Sequence, residues 1–296
     1  LTDTNYRVID ILKLSSDYLQ KKGIENPRLN VELLLGHVLK LSRVQLYLNF
    51  ERPLSLPEVD SFRQFLKRRA SHEPIQYILE ETEFYSLKLK VNRHTLIPRP
   101  ETEILVDKVI EHCKQNFDQQ KTVQILDIGT GSGNIAIALV KNLEPSFITA
   151  IDIHNEALLV AKQNAEYHQV SYKINFLQQD IFSKTLDFAS IFDVIVSNPP
   201  YISKTEFEQL PREVKDYEPY IALNGGVEGI DFYSRLAEIA ERLLSPTGFV
   251  AVEIGASQAE KVRNIFSQKR LFQSIVVIKD LNRIERVVIA RKTKIE

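Results

Sequence analysis

The sequence predicts an α/β protein: a mainly parallel sheet of seven strands, the last antiparallel, with helices on both faces and a small helical domain in front. Three observations carry this expectation. After Asp118-Gln119-Gln120-Lys121, short apolar runs alternate with helix-length amphipathic stretches, as in repeated β-α units. The last two apolar runs are joined only by Lys279-Asp280-Leu281-Asn282-Arg283-Ile284, too short for a parallel crossover, so they form an antiparallel hairpin. Residues 1–75 show no such alternation and carry helical patterns instead.

Taken in order, Tyr6, Ile9, Leu12, Leu14 and Leu19 mark the apolar face of a first helix. Pro27 opens a second, with Leu29, Val31, Leu33, Leu34, Leu35, Val38 and Leu39, and Pro57 opens a third, with Val59, Phe62, Phe65 and Leu66. Proline suits the first turn of a helix, where its missing N–H costs nothing. Lys67-Arg68-Arg69 ends the third helix, either as a solvated terminus favoured by the helix dipole or as a contact for an anionic partner. From 76 to 98 the pattern becomes extended, with Tyr77, Ile78, Phe84, Tyr85, Leu87, Leu89 and Val91 in a β-hairpin linker. Ile97-Pro98-Arg99-Pro100-Glu101-Thr102-Glu103 follows, a stiff segment that enters a helix running to about Phe117, or a rigid arm over a site. The remaining domain, 99–296, holds strands at 123–128, 147–152, 172–178, 192–197, 248–254, 272–278 and 285–290. Its further helices fall near 134–142, 155–168, 230–244 and 257–268.

Composition excludes several classes. Of 296 residues, 44% are hydrophobic and 26% charged, the balance of a globular protein with a substantial core. No apolar run reaches the length of a membrane span. The opening Leu1-Thr2-Asp3-Thr4-Asn5 shows no basic segment before an apolar core, so no secretory signal is expected. With one cysteine, Cys113, no internal disulfide forms, and a cytoplasmic location is expected. Lys+Arg 38 against Asp+Glu 39 leaves a net charge of −1, which counts against nucleic acid as the main substrate.

Two corners carry the chemistry. Asp127-Ile128-Gly129-Thr130-Gly131-Ser132-Gly133-Asn134 joins the first strand of the sheet to its helix, and glycines there let backbone approach a ligand closely. Asn134 stands where the dinucleotide fingerprint needs its final glycine, and no Gly-Lys-Ser/Thr follows, so pyrophosphate is not favoured. Asp152, ending the second strand, suits a ribose diol, whose two hydroxyls its oxygens can accept. Asp180 ends the third strand and can accept from an adenine amino group, with Ile181 against the ring. This ordered set resembles the cofactor site of the Rossmann-like class I methyltransferases that use S-adenosylmethionine. The resemblance implies that Gly129, Thr130, Gly131, Ser132 and Gly133 lie by the ribose and methionine portions, and that Asp152, Asp180 and Ile181 hold the nucleoside.

The second corner is Asn198-Pro199-Pro200-Tyr201, after the strand at 192–197. Open α/β sheets bind ligands at the carboxyl ends of their strands. Asn198 presents a side-chain carbonyl, and each proline forces the residue before it into extended geometry while offering no N–H. The corner is rich in acceptors, which suits a substrate NH₂, and the Tyr201 ring can stack on a planar group. Asn198 and Pro199 are expected to orient the nitrogen, with Pro200 and Tyr201 completing the substrate contact and Asn198 also bordering the cofactor. The tetrapeptide resembles the motif of methyltransferases acting on amide or exocyclic amine nitrogens, and leaves glutamine and adenine both open.

Three stretches favour glutamine. A helical domain precedes the core. Thr95–Glu103 is similar to the interdomain segment of the release-factor glutamine methyltransferases (the HemK-like family). Leu223-Asn224-Gly225-Gly226-Val227-Glu228-Gly229-Ile230 and Phe232-Tyr233 match that family's loop and helix entry. The resemblance runs from about residue 5 to 292. It implies methyl transfer to the glutamine of the Gly-Gly-Gln loop of peptide chain release factors in translation termination, with the helical domain helping to recognise that protein partner. The chain departs from the family in the final hairpin near Arg283, where glycine is frequent, and at Ile181, where some members carry an aromatic residue. An adenine amino methyltransferase on DNA or RNA is the enzyme alternative, and a cofactor-binding translation adaptor the non-enzyme one. The six histidines show no metal-ligand spacing. Ser132 is not in a nucleophile elbow, and Cys113 reads as a packing residue of its helix.

Overall fold

In the computed structural model, which describes residues 6–183, 186, 188 and 191–292, the chain divides into two units. The five amino-terminal residues lie outside the described residues. One unit comprises residues up to 80 together with Pro211–Tyr217, and the other comprises Glu81–Leu210 and Glu218 onward.

The first unit contains α1 (Val8–Lys21), α2 (Pro27–Leu39), α3 (Arg43–Leu48), α4 (Leu56–Ala70) and α5 (Ile75–Leu79). Pro27 opens α2, and α3 and α4 begin at the capping boxes Ser42/Gln45 and Ser55/Glu58. Val8, Leu12, Leu19, Val31, Leu34, Leu35, Leu46 and Phe62 form its core. The face of α1 is rotated from expectation: Ile11 and Ser15 are buried while Leu14 is exposed. Leu29 of α2 is likewise exposed. The basic run ends α4 in its last turn, with Lys67 exposed, but its last member is not solvated. Arg69 is buried, with Nε donating to Asn30 Oδ1 at 2.7 Å and a terminal nitrogen to Glu213 Oε2 at 2.7 Å. Arg68 pairs with Glu73. Glu213 lies in a short helix of the 211–217 segment, which groups with the amino-terminal helices. The expected extended stretch from 76 also begins as helix, α5.

The second unit opens with a hairpin of β1 (Glu81–Phe84) and β2 (Leu87–Lys90), then α6 (Thr102–Asn116). Among the described residues its main sheet has seven strands: β3 (Val123–Ile128), β4 (Ser146–Asp152), β5 (Ile174–Gln178), β6 (Phe192–Ser197), β7 (Leu244–Glu253), β8 (Phe272–Lys279) and β9 (Glu285–Lys292). Their order is β5-β4-β3-β6-β7-β9-β8, and β9 runs antiparallel to both neighbours. The order reverses at β3, between β4 and β6, which opens a crevice at the carboxyl ends of these strands. α7 (Asn134–Asn142), α8 (Asn155–Tyr167), the short α9 (Lys204–Phe207), the 211–217 helix α10 (Arg212–Lys215), α11 (Asp231–Leu243) and α12 (Ala259–Ser267) complete the chain.

The central strands are apolar on both faces, as a covered parallel sheet requires. Ile125, Val194, Val196 and Ala251 join one core with α6 and α7, while Leu126, Ile195, Val250 and Val252 join the other with α11 and α12. β7 starts four residues before its expected limit, because Leu244 pairs with Phe192 ahead of a register shift. No helix among the described residues is long and apolar enough to cross a membrane.

Candidate active site

A cleft of about 330 Å³ lies where the sheet order reverses, lined by Gly129, Gly131, Asp152, Asp180, Ile181, Asn198, Pro199 and Pro200. Six of the nine expected cofactor residues, Asn198 among them, and three of the four tetrapeptide residues therefore share one wall-to-wall space.

On the cofactor side, Gly129 and Gly131 have φ of +73° and +55°, and a side chain at either would project into open space. The loop thus presents bare backbone to the cleft, a cradle that a Cβ would begin to fill. Asp152 closes the loop: its Oδ2 accepts the Gly131 N–H at 2.9 Å and its Oδ1 the His154 N–H at 3.0 Å. Each oxygen keeps a lone pair for a ligand hydroxyl. Burial pushes the Asp152 carboxyl above its usual range, against the opposing pull of these N–H donors. Asp180 Oδ1 accepts the Phe182 N–H at 2.9 Å. Arg235 ties this turn to α11, donating to the Ile181 and Ser183 carbonyls at 2.7 and 3.0 Å.

Three expected cofactor residues do not line the cleft. The Thr130 hydroxyl donates to Asp127 Oδ2 at 2.6 Å, and Thr130 is buried. Ser132 is buried too, with its hydroxyl unpartnered among the described residues. Gly133 caps α7 at φ +80°, where a Cβ would meet that of Ala161 at 3.1 Å. These residues shape the loop from behind. Asp127, not singled out in advance, is their anchor. It is fully buried, its Oδ1 has no partner among the described residues, and burial pushes its carboxyl up to about 7.

On the substrate side, Ser197 Oγ donates to the Ile128 carbonyl at 2.7 Å and locks the end of β6 to β3. Asn198 follows, and its Nδ2 donates to Thr102 Oγ1 at 3.1 Å. Thr102 in turn donates to Glu253 Oε2 at 2.6 Å, and the Tyr201 hydroxyl donates to Glu253 Oε1 at 3.2 Å. Tyr201, expected in contact with substrate, is not part of the cleft lining: its ring packs partly buried against the α11–α12 core, with its hydroxyl on the buried Glu253 carboxylate. Burial holds that hydroxyl protonated by pushing its pKa well up.

The tetrapeptide is also held from its far side. The Ile202 N–H donates to the Leu223 carbonyl and the Gly225 N–H returns to the Ile202 carbonyl, both at 2.9 Å. A Cβ on Gly225 would sit 2.8 Å from the Pro200 carbonyl oxygen, so glycine is required for this close approach. Gln258 donates to the Tyr201 carbonyl at 2.8 Å and the Gly229 carbonyl at 3.1 Å. Asn224-Gly225-Gly226 is thus a pinned turn. The segment around Ile97 is pinned as well: Arg99 donates to Glu218 Oε1 at 2.5 Å, and the Ile97 N–H to Glu218 Oε2 at 3.2 Å. Leu96 and His94, ahead of it, line the cleft.

Phe182 and Phe232 also line it, in edge-to-face contact with centroids 5.0 Å apart. The aromatic surface missing at Ile181 is supplied by these neighbours. Tyr233, beside Phe232, is fully buried and donates to the Glu253 carbonyl at 3.0 Å. Thr102, Glu253, Phe182 and Phe232 were not assigned to the site from sequence. A carboxylate ending the apolar run Phe249-Val250-Ala251-Val252 was the available signal for Glu253.

Comparison with known proteins decides the family. The model of the PrmC N-terminal domain matches residues 10–79, and a methyltransferase domain model matches residues 119–287. The release factor glutamine methyltransferase of Chlorobaculum tepidum is 40% identical over 95% of this chain and 96% of its own. That of Rhodopirellula baltica is 37% identical over 98% of both. The chain belongs to the release factor glutamine methyltransferase family. Among solved structures, a methyltransferase from Pyrococcus furiosus superposes with a TM-score of 0.50 at 21% identity, covering 71% of this chain and 91% of its own. The hMettl16 catalytic domain, solved with a MAT2A 3′UTR hairpin, gives 0.56 at 16% identity over 81% and 84%. These two show the class I methyltransferase fold. Like other members of that class, this release factor glutamine methyltransferase family member uses S-adenosylmethionine as methyl donor, and the bare glycine cradle beside Asp152 fits that group.

Proposed function

We propose that this chain methylates the side-chain amide nitrogen of the glutamine in the Gly-Gly-Gln loop of peptide chain release factors, in the cytoplasm. The observation that carries the proposal is the single cleft in which Asn198, Pro199 and Pro200 face the Gly129–Gly131 cradle and Asp152. The relatives that are similar over nearly the whole chain are named for this reaction, and the helical region matches the PrmC N-terminal domain.

Asp152 would hold the ribose diol through its two remaining lone pairs, and Asp180 the adenine amino group. Ile181, Phe182 and Phe232 would flank the base. When bound, S-adenosylmethionine supplies an electrophilic methyl group on a sulfonium. The amide nitrogen is a poor nucleophile because its lone pair is delocalised. Asn198 Oδ1 and the Pro199 carbonyl would accept its two N–H bonds, orient the lone pair and stabilise the positive charge that develops on nitrogen. The excess proton leaves after attack, so no strong base is required beforehand. Many proteins expose glutamines, so selection must come from surfaces beyond the pocket, and we assign it to the helical region.

Incubation with labelled methyl donor, a release factor and a mixture of DNA and RNA tests the assignment. Label is expected in the release factor. Label only in nucleic acid would select the adenine alternative, and donor binding without turnover would select the adaptor. Asn198→Ala should keep the fold and lose about 100-fold in kcat, the scale of one charge-stabilising contact. Unchanged kcat would remove Asn198 from its role.

A further inference from the structure

We propose that Glu253 is a positioning residue that sets the direction of the Asn198 amide through Thr102 and fixes the other end of the tetrapeptide through Tyr201. Its kinetic consequence rests on the glutamine-methylating reading of the cleft. Its structural content rests on hydrogen-bond polarity alone.

An asparagine amide has a donor end and an acceptor end, nearly equal in shape. A hydroxyl such as Thr102 can give or take a hydrogen bond and by itself selects neither end. The choice is made one step further back. Glu253 is buried at 1% exposure at the carboxyl end of β7, and its ionised carboxylate only accepts. Oε2 takes the single Thr102 proton at 2.6 Å, so Thr102 Oγ1 is left as an acceptor. It then accepts from Asn198 Nδ2 at 3.1 Å. The NH₂ end of Asn198 is thereby turned toward Thr102, and Oδ1 is the end left for the cleft. The other oxygen, Oε1, takes the Tyr201 proton, so both ends of Asn198-Pro199-Pro200-Tyr201 hang from one carboxylate. A flipped Asn198 would offer NH₂ to a substrate NH₂, two donors with no acceptor between them.

This relay is sensitive to proton uptake at Glu253. A neutral carboxyl can donate to Thr102, which then donates to Asn198 and reverses the amide. The groups that face Glu253 are Thr102 and Glu101 at the start of α6, Tyr201, Tyr233 of α11 and Arg286 of β9. Arg286 favours the charged form and Glu101 opposes it, while burial is the largest influence and raises the group to about 7. Ionisation, and with it the correct polarity, is complete only above that value.

Kinetics and side-chain amide spectra of the full chain test this. Thr102→Val should lower kcat toward a release factor at least tenfold and leave the KM for methyl donor within about threefold. Thr102→Ser, which keeps the hydroxyl, should return kcat to within about threefold of the parent. Parent kcat should fall below about pH 7, and Glu253→Gln should be slow with that limb absent. In donor-free protein, the Asn198 Nδ2H₂ resonances should titrate in the parent and be pH-independent in Glu253→Gln. Parent-like kcat in Thr102→Val, or Asn198 resonances that titrate equally in Glu253→Gln, would overturn the proposal. Should the parent methylate no release factor, the reading of the cleft fails, and the Asn198 resonances still decide the relay. Should Thr102→Val not fold, the Glu253→Gln pH profile and spectra decide it.

Discussion

Gly131 combines a left-handed φ of +55° with a position on the cleft wall whose missing side chain leaves open space. Gly131→Ala should therefore act twice. The alanine costs about 1–2 kcal/mol in this conformation, and its methyl enters the donor site. Calorimetry should show at least tenfold weaker binding of S-adenosylmethionine with the sheet intact, and unchanged affinity would mean the cradle does not hold the donor. Glu253 gives a residue-scale prediction of a different kind. Its folded pKa, near 7, lies above the ordinary 4.5. Such a group stabilises the fold fully below 4.5, and that contribution is lost as pH rises to about 7. The loss approaches roughly 3 kcal/mol at the ordinary conversion of pKa to free energy. Denaturant titrations should therefore show Glu253→Gln gaining on the parent between pH 5 and 7 and holding that difference above it. Asp152 and the tetrapeptide were legible because each ends a strand recognisable by its own apolar run. Thr102 and Glu253 were not, because their meaning lies in hydrogen bonds between residues 52, 96 and 151 positions apart.

At the scale of elements, the β8–β9 hairpin shows how a motif departure is absorbed. Near the place where the resemblance leads one to expect glycine, Arg283 adopts φ +63°. Asp280 organises the turn instead: its Oδ1 accepts the N–H groups of Asn282 and Ile284 at 2.9 Å, and its Oδ2 accepts Arg286 Nε at 3.0 Å. Relieving the left-handed strain outweighs the added freedom of glycine in the unfolded chain. Arg283→Gly should stabilise the protein by about 0.5–1 kcal/mol, seen as a higher midpoint in urea, and a lower midpoint would show that the turn is unstrained. The strands and long helices of the sheet domain followed from sequence because period and length agree there. The rotated face of α1 did not, because Ser15 fills a buried position that an apolar count assigns to Leu14. The burial of Arg69 within the Lys67-Arg68-Arg69 run was hidden for a related reason. Arg69 is internal only because Asn30 and Glu213 come to it, and Glu213 is 144 residues away.

For the whole molecule, the order of the sheet brings two corners into one cleft, though they stand about seventy residues apart in the chain. Strand alternation alone implies that both lie at carboxyl ends; the reversal at β3 makes them neighbours. The division into units was less legible, since Pro211–Tyr217 clusters with helices far earlier in the sequence. Fold and donor belong to the class, so the acceptor is the central claim. Mass spectrometry of a release factor after reaction tests it most directly. The account predicts a gain of one methyl group, mapped by fragmentation to the glutamine of the Gly-Gly-Gln loop; an unmodified glutamine there, with methyl found on another residue or on nucleic acid, would contradict it.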